Sequence, residues 1–356
     1  MQRIGYIDGL KGISAITVVL AHIQCSFSTV SNLPFGEFPA SLLSDFYNGR
    51  MAVAIFVLAS AFIMGQLCQD ETRYQSILLK RYFRLMIPCI VPILLMALCF
   101  YTSLGYNDEL GEHINNDWLR WWPAGLSWKK LPQAILGAPV GEAWEWVNVM
   151  WMLKYVFLTP FVVVILEIAL RGIRPVAKVV ILLLCLVVSY KHDIWLTTIF
   201  MGYIFSQIND METQHSIRHR TVMCVLITIG MVALYLVAST KAFNDRNNIV
   251  KAICFVSVIM MWEPMRRLFS TKLLLWLGNI SFEIYLLHLL VIYILSCRMY
   301  GWLNGVPHRL WIISVVTIAV TILLAWVYKW TVSKLNDRCT NLIMDWINKY
   351  KKIPQE

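Results

Sequence analysis

Ten apolar segments, most of them long enough to cross a bilayer as a helix, limit what this chain can fold into. Inside a membrane every backbone N–H and C=O must be bonded internally, which favours helices. The composition agrees, since 58% of the 356 residues are hydrophobic, 15% are charged and the mean hydropathy is +0.62. We therefore expect an all-α, polytopic membrane helix bundle. Its ten predicted spans are 9–29, 51–67, 86–104, 148–169, 175–190, 194–208, 221–239, 249–264, 273–297 and 310–331.

Lysine and arginine are unevenly distributed between the connecting segments. If the N-terminus is inside, the inner segments carry about twice as many of these residues as the outer ones, which predicts that both termini are cytoplasmic. This pattern accounts for the net charge of +10 through topology and anionic membrane lipid, and it disfavours a nucleic-acid partner. We divide the chain into a transmembrane domain, residues 1–335, and a short basic cytoplasmic tail, residues 336–356.

A lysine and a histidine stand eleven residues apart in the first apolar segment, and Asp8 and Ser14 share their helix face. Eleven helical residues make three turns plus about 20° and rise about 16 Å. If Lys11 lies at a membrane surface, His22 lies near the midplane, where an ionisable group is costly. A single histidine there often serves only packing. The shared polar face favours function, with His22 as a general base.

Two further groups of polar residues stand at helical spacing. Arg81 and Arg84 share a face, and their guanidinium groups suit phosphate, although an ordinary positive cluster on the cytoplasmic side explains them equally well. Ser281, Tyr285 and His288 share a face of the ninth segment, where they support a site or form a packing seam. We favour packing for this second group. No spacing typical of metal ligands is found.

The long loop 105–147 is rich in tryptophan. Tryptophan prefers the headgroup level, so we expect an interfacial loop or amphipathic helix. The alternative is an aromatic surface that binds an extracytoplasmic sugar or lipid-linked substrate. The tryptophans concerned are Trp118, Trp121, Trp122, Trp128, Trp144 and Trp146.

Four motifs follow one another along the chain, namely Asp8-Gly9-Leu10-Lys11-Gly12 followed by His22, Phe56-Val57-Leu58-Ala59-Ser60, Arg81-x-x-Arg84-Leu85-x-x-Pro88, and Ile280-Ser281-Phe282-Glu283-Ile284-Tyr285-Leu286-Leu287-His288. This ordered set resembles the acyltransferase-3 family of integral membrane O-acyltransferases. The departures are Ala61, where the family usually has glycine, and Val156, where many members have glutamate after Trp151 and Leu153.

The resemblance implies transfer of an acyl group, most often acetyl, from cytoplasmic acyl-CoA to a hydroxyl of a surface glycan. The implied acceptors are O-antigen, capsule or a lipid-linked sugar, and the implied location is the bacterial cytoplasmic (inner) membrane. Acetyl-CoA is then the donor and no metal is needed. The expected site comprises His22 as base or transient acyl carrier, Asp8 orienting Lys11, Arg81, Arg84 and Lys11 at the donor, and Ser281, Tyr285, His288 and Trp151 around the substrate.

The competing class is a proton-coupled transporter without acyl transfer. Intramembrane Lys11 and His22, together with Lys154, would suit such a carrier. The sequence shows neither the internal repeats nor the paired interrupted segments that carriers frequently have. It therefore favours the enzyme, and it leaves the oligomeric state open.

Overall fold

The computed structural model describes residues 4–27, 42–68, 74–102, 104–120, 122, 126–211, 217–239 and 244–351. Within these residues, seven helices are long and apolar enough to cross a membrane, and an eighth candidate is a pair of helices bent by 106°. Two shorter apolar helices, Ile194–Ile208 and Val225–Ser239, lie at the sixth and seventh predicted segments. The prediction of an all-α, polytopic membrane bundle is confirmed. Trp121, the end of the first predicted span and residues 352–356 of the tail lie outside the described residues.

Sixteen α-helices are described, joined in several places by 3-10 or π-helical turns. Five 3-10 turns are Leu42–Tyr47, Trp128–Lys130, Ala138–Val140, Glu142–Glu145 and Asn148–Met152, and two π-helical turns are Ile292–Ser296 and Lys329–Ser333. The α-helices are α1 (Gly5–Ser26), α2 (Gly49–Leu67), α3 (Tyr74–Thr102), α4 (Asn107–His113), α5 (Leu131–Gly137), α6 (Leu153–Ala169), α7 (Pro175–His192), α8 (Ile194–Met211), α9 (Ile217–Ser239), α10 (Asp245–Met261), α11 (Glu263–Phe269), α12 (Lys272–Asn279), α13 (Ser281–Val291), α14 (Cys297–Trp302), α15 (Arg309–Tyr328) and α16 (Lys334–Lys351).

The ninth predicted span, 273–297, is wrong at its start. Helix α12 ends at Asn279, and the apolar span runs instead over Ser281–Trp302. The hydroxyl of Ser281 donates to the Gly278 carbonyl at 2.9 Å, so a side chain satisfies backbone at the break. At the C-terminal end, α15 continues through the π-helical turn into α16, and the predicted boundary after residue 335 falls inside that helix.

The chain forms two compact units, each built from three separate stretches of sequence. The first unit contains Met1–Ala21, Phe38–Glu71 and Leu158–Ser281. The second unit contains His22–Glu37, Thr72–Phe157 and Phe282–Glu356.

Small residues permit close helix packing in the first unit. A Cβ atom on Gly9 would stand 1.8 Å from the Phe269 carbonyl oxygen, and one on Gly278 would stand 2.0 Å from the Asp8 carbonyl oxygen. Helices α2 and α8 approach in the same way, since a Cβ on Gly202 would lie 2.4 Å from the Leu58 carbonyl oxygen. Close backbone approach through small residues is a common means of helix association in membranes. The glycines around Asp8 therefore place the start of α1 directly against the backbone of its neighbours.

Prolines shape helix α3 in the second unit. A proline inside a helix provides no N–H for the carbonyl four residues earlier. Pro88 thereby frees the Arg84 carbonyl, which accepts from Asn336 Nδ2 at 3.4 Å, and Pro92 frees the Pro88 carbonyl, which accepts from the Tyr328 hydroxyl at 2.6 Å. Both freed carbonyls thus bind side chains of the C-terminal helices.

We expect Tyr328→Phe to lower the free energy of unfolding by about 1–3 kcal/mol, because the buried Pro88 carbonyl would lose its donor. Thermal unfolding of the detergent-solubilised protein measures this change. Tyr101→Phe is the matched control, since Tyr101 is 39% exposed and a surface change is expected to stay within about 0.5 kcal/mol. Equal melting temperatures for the two variants would contradict the role assigned to the Tyr328 hydroxyl.

Candidate active site

Two histidines meet in the second unit. His22 Nδ1 lies 2.7 Å from His288 Nε2, although the residues are 266 positions apart. Their rings are almost coplanar, with an angle of 6° between the ring planes. His288 is completely buried, whereas His22 is partly exposed. The fold therefore joins two residues that the sequence analysis had selected separately, one in α1 and one in α13.

The hydrogen bonds around this pair assign its protons. His288 Nδ1 lies 3.2 Å from the Ile284 carbonyl oxygen, which can only accept, so Nδ1 carries the hydrogen. In a neutral ring His288 Nε2 is then the acceptor, and His22 Nδ1 donates to it. His22 Nε2 consequently retains its lone pair. Catalytic triads use the same arrangement: one group binds and orients the histidine through one ring nitrogen, and the other ring nitrogen serves as the base.

Asn116 and Trp118 complete the surroundings of His22. The Trp118 ring stacks on His22 with centroids 5.5 Å apart and an interplanar angle of 23°. Asn116 Nδ2 donates to the carbonyls of Cys25 and Ser26 at 2.9 Å each, and Asn116 Oδ1 accepts from the Trp118 N–H at 2.9 Å. The last carbonyls of a helix have no partner within it. Asn116 therefore satisfies the end of α1 and positions Trp118 on the histidine.

Two further tryptophans of this loop, Trp122 and Trp128, contact aromatic rings of neighbouring elements. Trp122 contacts Phe100 and Tyr293, with centroid distances of 5.3 and 6.0 Å, and Trp128 stacks on Tyr101 at 4.3 Å. The loop is therefore packed against α3 and the π-helical turn that follows α13. Trp118 is the member of this loop that stacks on the histidine pair.

The remaining predicted residues of α13 and the loop have packing contacts. The Tyr285 hydroxyl donates to the Val149 carbonyl in the turn that also contains Trp151, and the Tyr285 ring lies 6.1 Å from that of His288. Trp151 meets Tyr155 edge-on at 6.4 Å. Tyr285 thus connects this turn to the helix that carries His288.

The two arginines of α3 differ in environment. Pro160 leaves the Val156 carbonyl without its helical donor, and Arg81 binds that carbonyl through Nε at 3.2 Å and Nη2 at 2.8 Å. Arg81 is partly buried, whereas Arg84 is exposed. Val156 stands where many family members have glutamate, and it binds Arg81 through its backbone carbonyl rather than through a side chain.

Asp8 and Lys11 form an ion pair in the first unit, with Lys11 Nζ 2.6 Å from Asp8 Oδ1. Asp8 is 5% exposed, and Lys11 is partly exposed. The contact expected between these two side chains is present, and the glycine packing described above holds the backbone of Asp8.

Glu283, also in α13, belongs to a separate buried cluster. It is 1% exposed, and its Oε1 accepts from Ser333 Oγ at 2.6 Å and from Lys329 Nζ at 3.1 Å. Both donors lie in the π-helical turn before α16. Breaking a buried ion pair on one side is strongly destabilising, so this cluster fixes α13 to the C-terminal helices.

The described helices define an integral, multi-pass membrane protein, and its second unit contains the hydrogen-bonded histidine pair. A family model described as an acyltransferase domain matches residues 4–330, nearly the whole chain. The protein belongs to the acyltransferase 3 family, as the motifs had indicated, and it is a membrane acyltransferase. No curated protein and no solved structure matches the chain. Among the residues that the structure describes, no three His, Cys, Asp or Glu side chains could hold a metal ion.

We expect Asn116→Asp to expose His22, because a carboxylate cannot donate to the Cys25 and Ser26 carbonyls and is repelled by them, so the side chain that accepts from the Trp118 N–H is displaced from the end of α1. Diethyl pyrocarbonate modification, followed by mass spectrometry, should show severalfold faster reaction at His22. The control is Asn115→Asp at the exposed neighbouring residue. An unchanged rate in Asn116→Asp would contradict the positioning role of this side chain.

Proposed function

We propose that the protein transfers an acyl group, most often acetyl, from cytoplasmic acyl-CoA to a hydroxyl of a surface glycan or lipid-linked sugar. The supporting observation is the partly exposed His22 hydrogen-bonded to buried His288, within a chain of the acyltransferase 3 family. We place both termini in the cytoplasm on the distribution of lysine and arginine, and the protein in the bacterial inner membrane.

In the proposed reaction, His22 Nε2 takes the proton of the acceptor hydroxyl while that oxygen attacks the thioester carbonyl. The tetrahedral intermediate collapses, the carbon–sulfur bond breaks, and the imidazolium of His22 returns its proton to the CoA thiolate. The products are the ester and free CoA. His288 accepts from His22 Nδ1 throughout, which keeps Nε2 directed at the reacting groups. The same nitrogen would be the attacking atom if the acyl group passed through His22.

We assign the donor phosphates to Arg84, with Lys11 as a further cation. Arg84 is exposed in the first half of α3, and a guanidinium matches phosphate oxygens in a bidentate manner. Arg81 already donates two N–H groups to the Val156 carbonyl, so its role is to orient α3 beside the donor. Asp8 would orient Lys11 through their ion pair.

We assign the acceptor to the side of His22 on which Trp118 lies. An aromatic ring offers the flat surface that a sugar requires for stacking, and the indole of Trp118 is partly exposed. The face of Trp118 also stabilises the positive charge that His22 acquires during the reaction. Ser281, Tyr285 and Trp151 would support this arrangement through packing.

The first test is acyl transfer from radiolabelled acetyl-CoA to surface glycans in membranes that contain the native protein or His22→Ala. We expect the variant to lose activity by about 10²–10⁴-fold, as for loss of a general base. His113→Ala, at an exposed position in α4, is the control for removal of an imidazole. Incorporation that persists in correctly inserted His22→Ala would remove His22 from catalysis.

The same acyl-transfer assay tests His288, to which we assign the role of positioning His22. His288→Leu should reduce kcat by about 10–100-fold with little change in KM, because the lost contact orients the base and does not bind substrate. His288→Gln retains an acceptor oxygen and should recover part of this loss. A rise in KM alone would instead indicate a contact with substrate.

Arg84→Gln and Arg81→Gln separate donor binding from helix orientation. Loss of a charge-assisted bond of about 1.5–3 kcal/mol should weaken acetyl-CoA binding by roughly 10- to 150-fold in Arg84→Gln. Arg81→Gln should chiefly lower the melting temperature, because the shorter glutamine cannot make the two hydrogen bonds that Arg81 donates to the Val156 carbonyl. Calorimetric titration and thermal unfolding in detergent measure the two effects. Unchanged acetyl-CoA affinity in Arg84→Gln would refute its assignment.

A further inference from the structure

A cavity of about 560 Å³ lies within the first unit, between α1, α2, α9, α10 and the turn Leu42–Tyr47. Its volume falls in the usual range for small-molecule sites. The walls are almost entirely apolar, with Leu10, Met51, Ile55, Leu236 and Phe255 among the side chains that line them. No part of the acyl-transfer proposal uses this cavity.

The helices that line the cavity indicate which medium surrounds it. Helices α1 and α2 are candidate membrane spans, α10 belongs to the bent pair, and residues Val225–Ser239 of α9 form one of the shorter apolar helices. Cavities with apolar walls do not hold water stably. At this depth in a bilayer the available material is hydrocarbon, so an alkyl chain is the occupant that matches these walls.

Asp45 and Tyr235 make one part of the lining polar. Asp45 Oδ1 accepts from Lys251 Nζ at 2.8 Å and from Asn48 Nδ2 at 3.1 Å, and its Oδ2 accepts from the Tyr235 hydroxyl. The Asp45 and Lys251 side chains are only 11% and 10% exposed, and their charges balance. This group therefore suits a neutral hydrogen-bonding partner better than a phosphate.

Asp45 and its hydrogen-bonding partners lie at the depth of the membrane interface. Asn48 is the N-cap of α2, so Asp45 lies just before the start of a membrane-spanning helix. Arg50, with its side chain 52% exposed, pairs with Asp245 at the start of α10. Charged side chains at helix ends mark the interfacial region of a bilayer, where lipid hydroxyl and ester groups lie.

We propose that this cavity binds one hydrocarbon chain of a bilayer phospholipid, whose free hydroxyl group donates to Asp45 Oδ2 or to the Tyr235 oxygen. The chain would lie along α9 and α10, against Leu236 and Phe255. We assign the bound hydrocarbon chain to a phospholipid. A long-chain acyl-CoA carries the same alkyl chemistry, and the experiment distinguishes the two.

The test uses the full-length protein in phospholipid vesicles that contain a phospholipid with a photoreactive diazirine in one acyl chain. After illumination, peptide mapping should find the label on α9 and α10 at residues that line the cavity. Leu236→Trp places a large ring in the cavity and should remove more than half of this label. Leu234→Trp is the matched control, because Leu234 is on the same helix and 48% exposed, against 51% for Leu236, but outside the lining.

Val232→Trp, also in the lining, replaces Leu236→Trp if that variant does not fold, and thermal unfolding checks both. Equal labelling of the lining and control variants would overturn the proposal, since it would indicate lipid on the outer surface only. A parallel arm uses diazirine-labelled palmitoyl-CoA. Labelling of the cavity by that probe and not by phospholipid would also overturn the proposal and assign the cavity to a donor chain. Acyl transfer by the same preparations is measured separately, so the two proposals fail independently.

Discussion

The need to satisfy backbone polar groups in a nonaqueous environment governs much of this structure. The prolines within α3 and α6 release the carbonyls of Arg84, Pro88 and Val156, and each of these accepts from a side chain of another helix. Asn116 does the same for the last carbonyls of α1. Residues that break regular helices thus create the acceptors through which side chains hold the helices together.

The same requirement for hydrogen-bonding partners fixes the orientation of the His22 imidazole in the candidate site. His22 lies in the last turns of α1, where the helix end is completed by Asn116 and where His288 supplies an acceptor for Nδ1. Both interactions restrict the imidazole, one through the backbone and one through the ring. Trp118 depends on the same asparagine. An imidazole with one defined tautomer therefore results from contacts whose immediate effect is to satisfy hydrogen-bonding groups.

Apolar segments predicted the helical membrane bundle, and the ordered motifs indicated the family, because both can be recognised from residues that are close together in the sequence. The break at Ser281 was missed, since averaging over an apolar segment does not detect a tight approach at Gly278. The pairing of His22 with His288 depends on folding across 266 positions. Asn116 went unnoticed because its function follows from the place where α1 ends. The sequence feature that could have drawn attention to Asn116 is its neighbour Trp118, which belongs to a tryptophan-rich loop.

The separation of the two histidines along the chain has a consequence for biosynthesis. At about 5–20 residues per second, ribosomal synthesis needs roughly 13–53 s to extend from His22 to His288. The second unit likewise combines the end of α1 with helices from the last quarter of the chain. During that interval α1 carries an imidazole without its final acceptor. Insertion of α1 therefore has to tolerate an imidazole whose hydrogen-bond acceptor has not yet been synthesised.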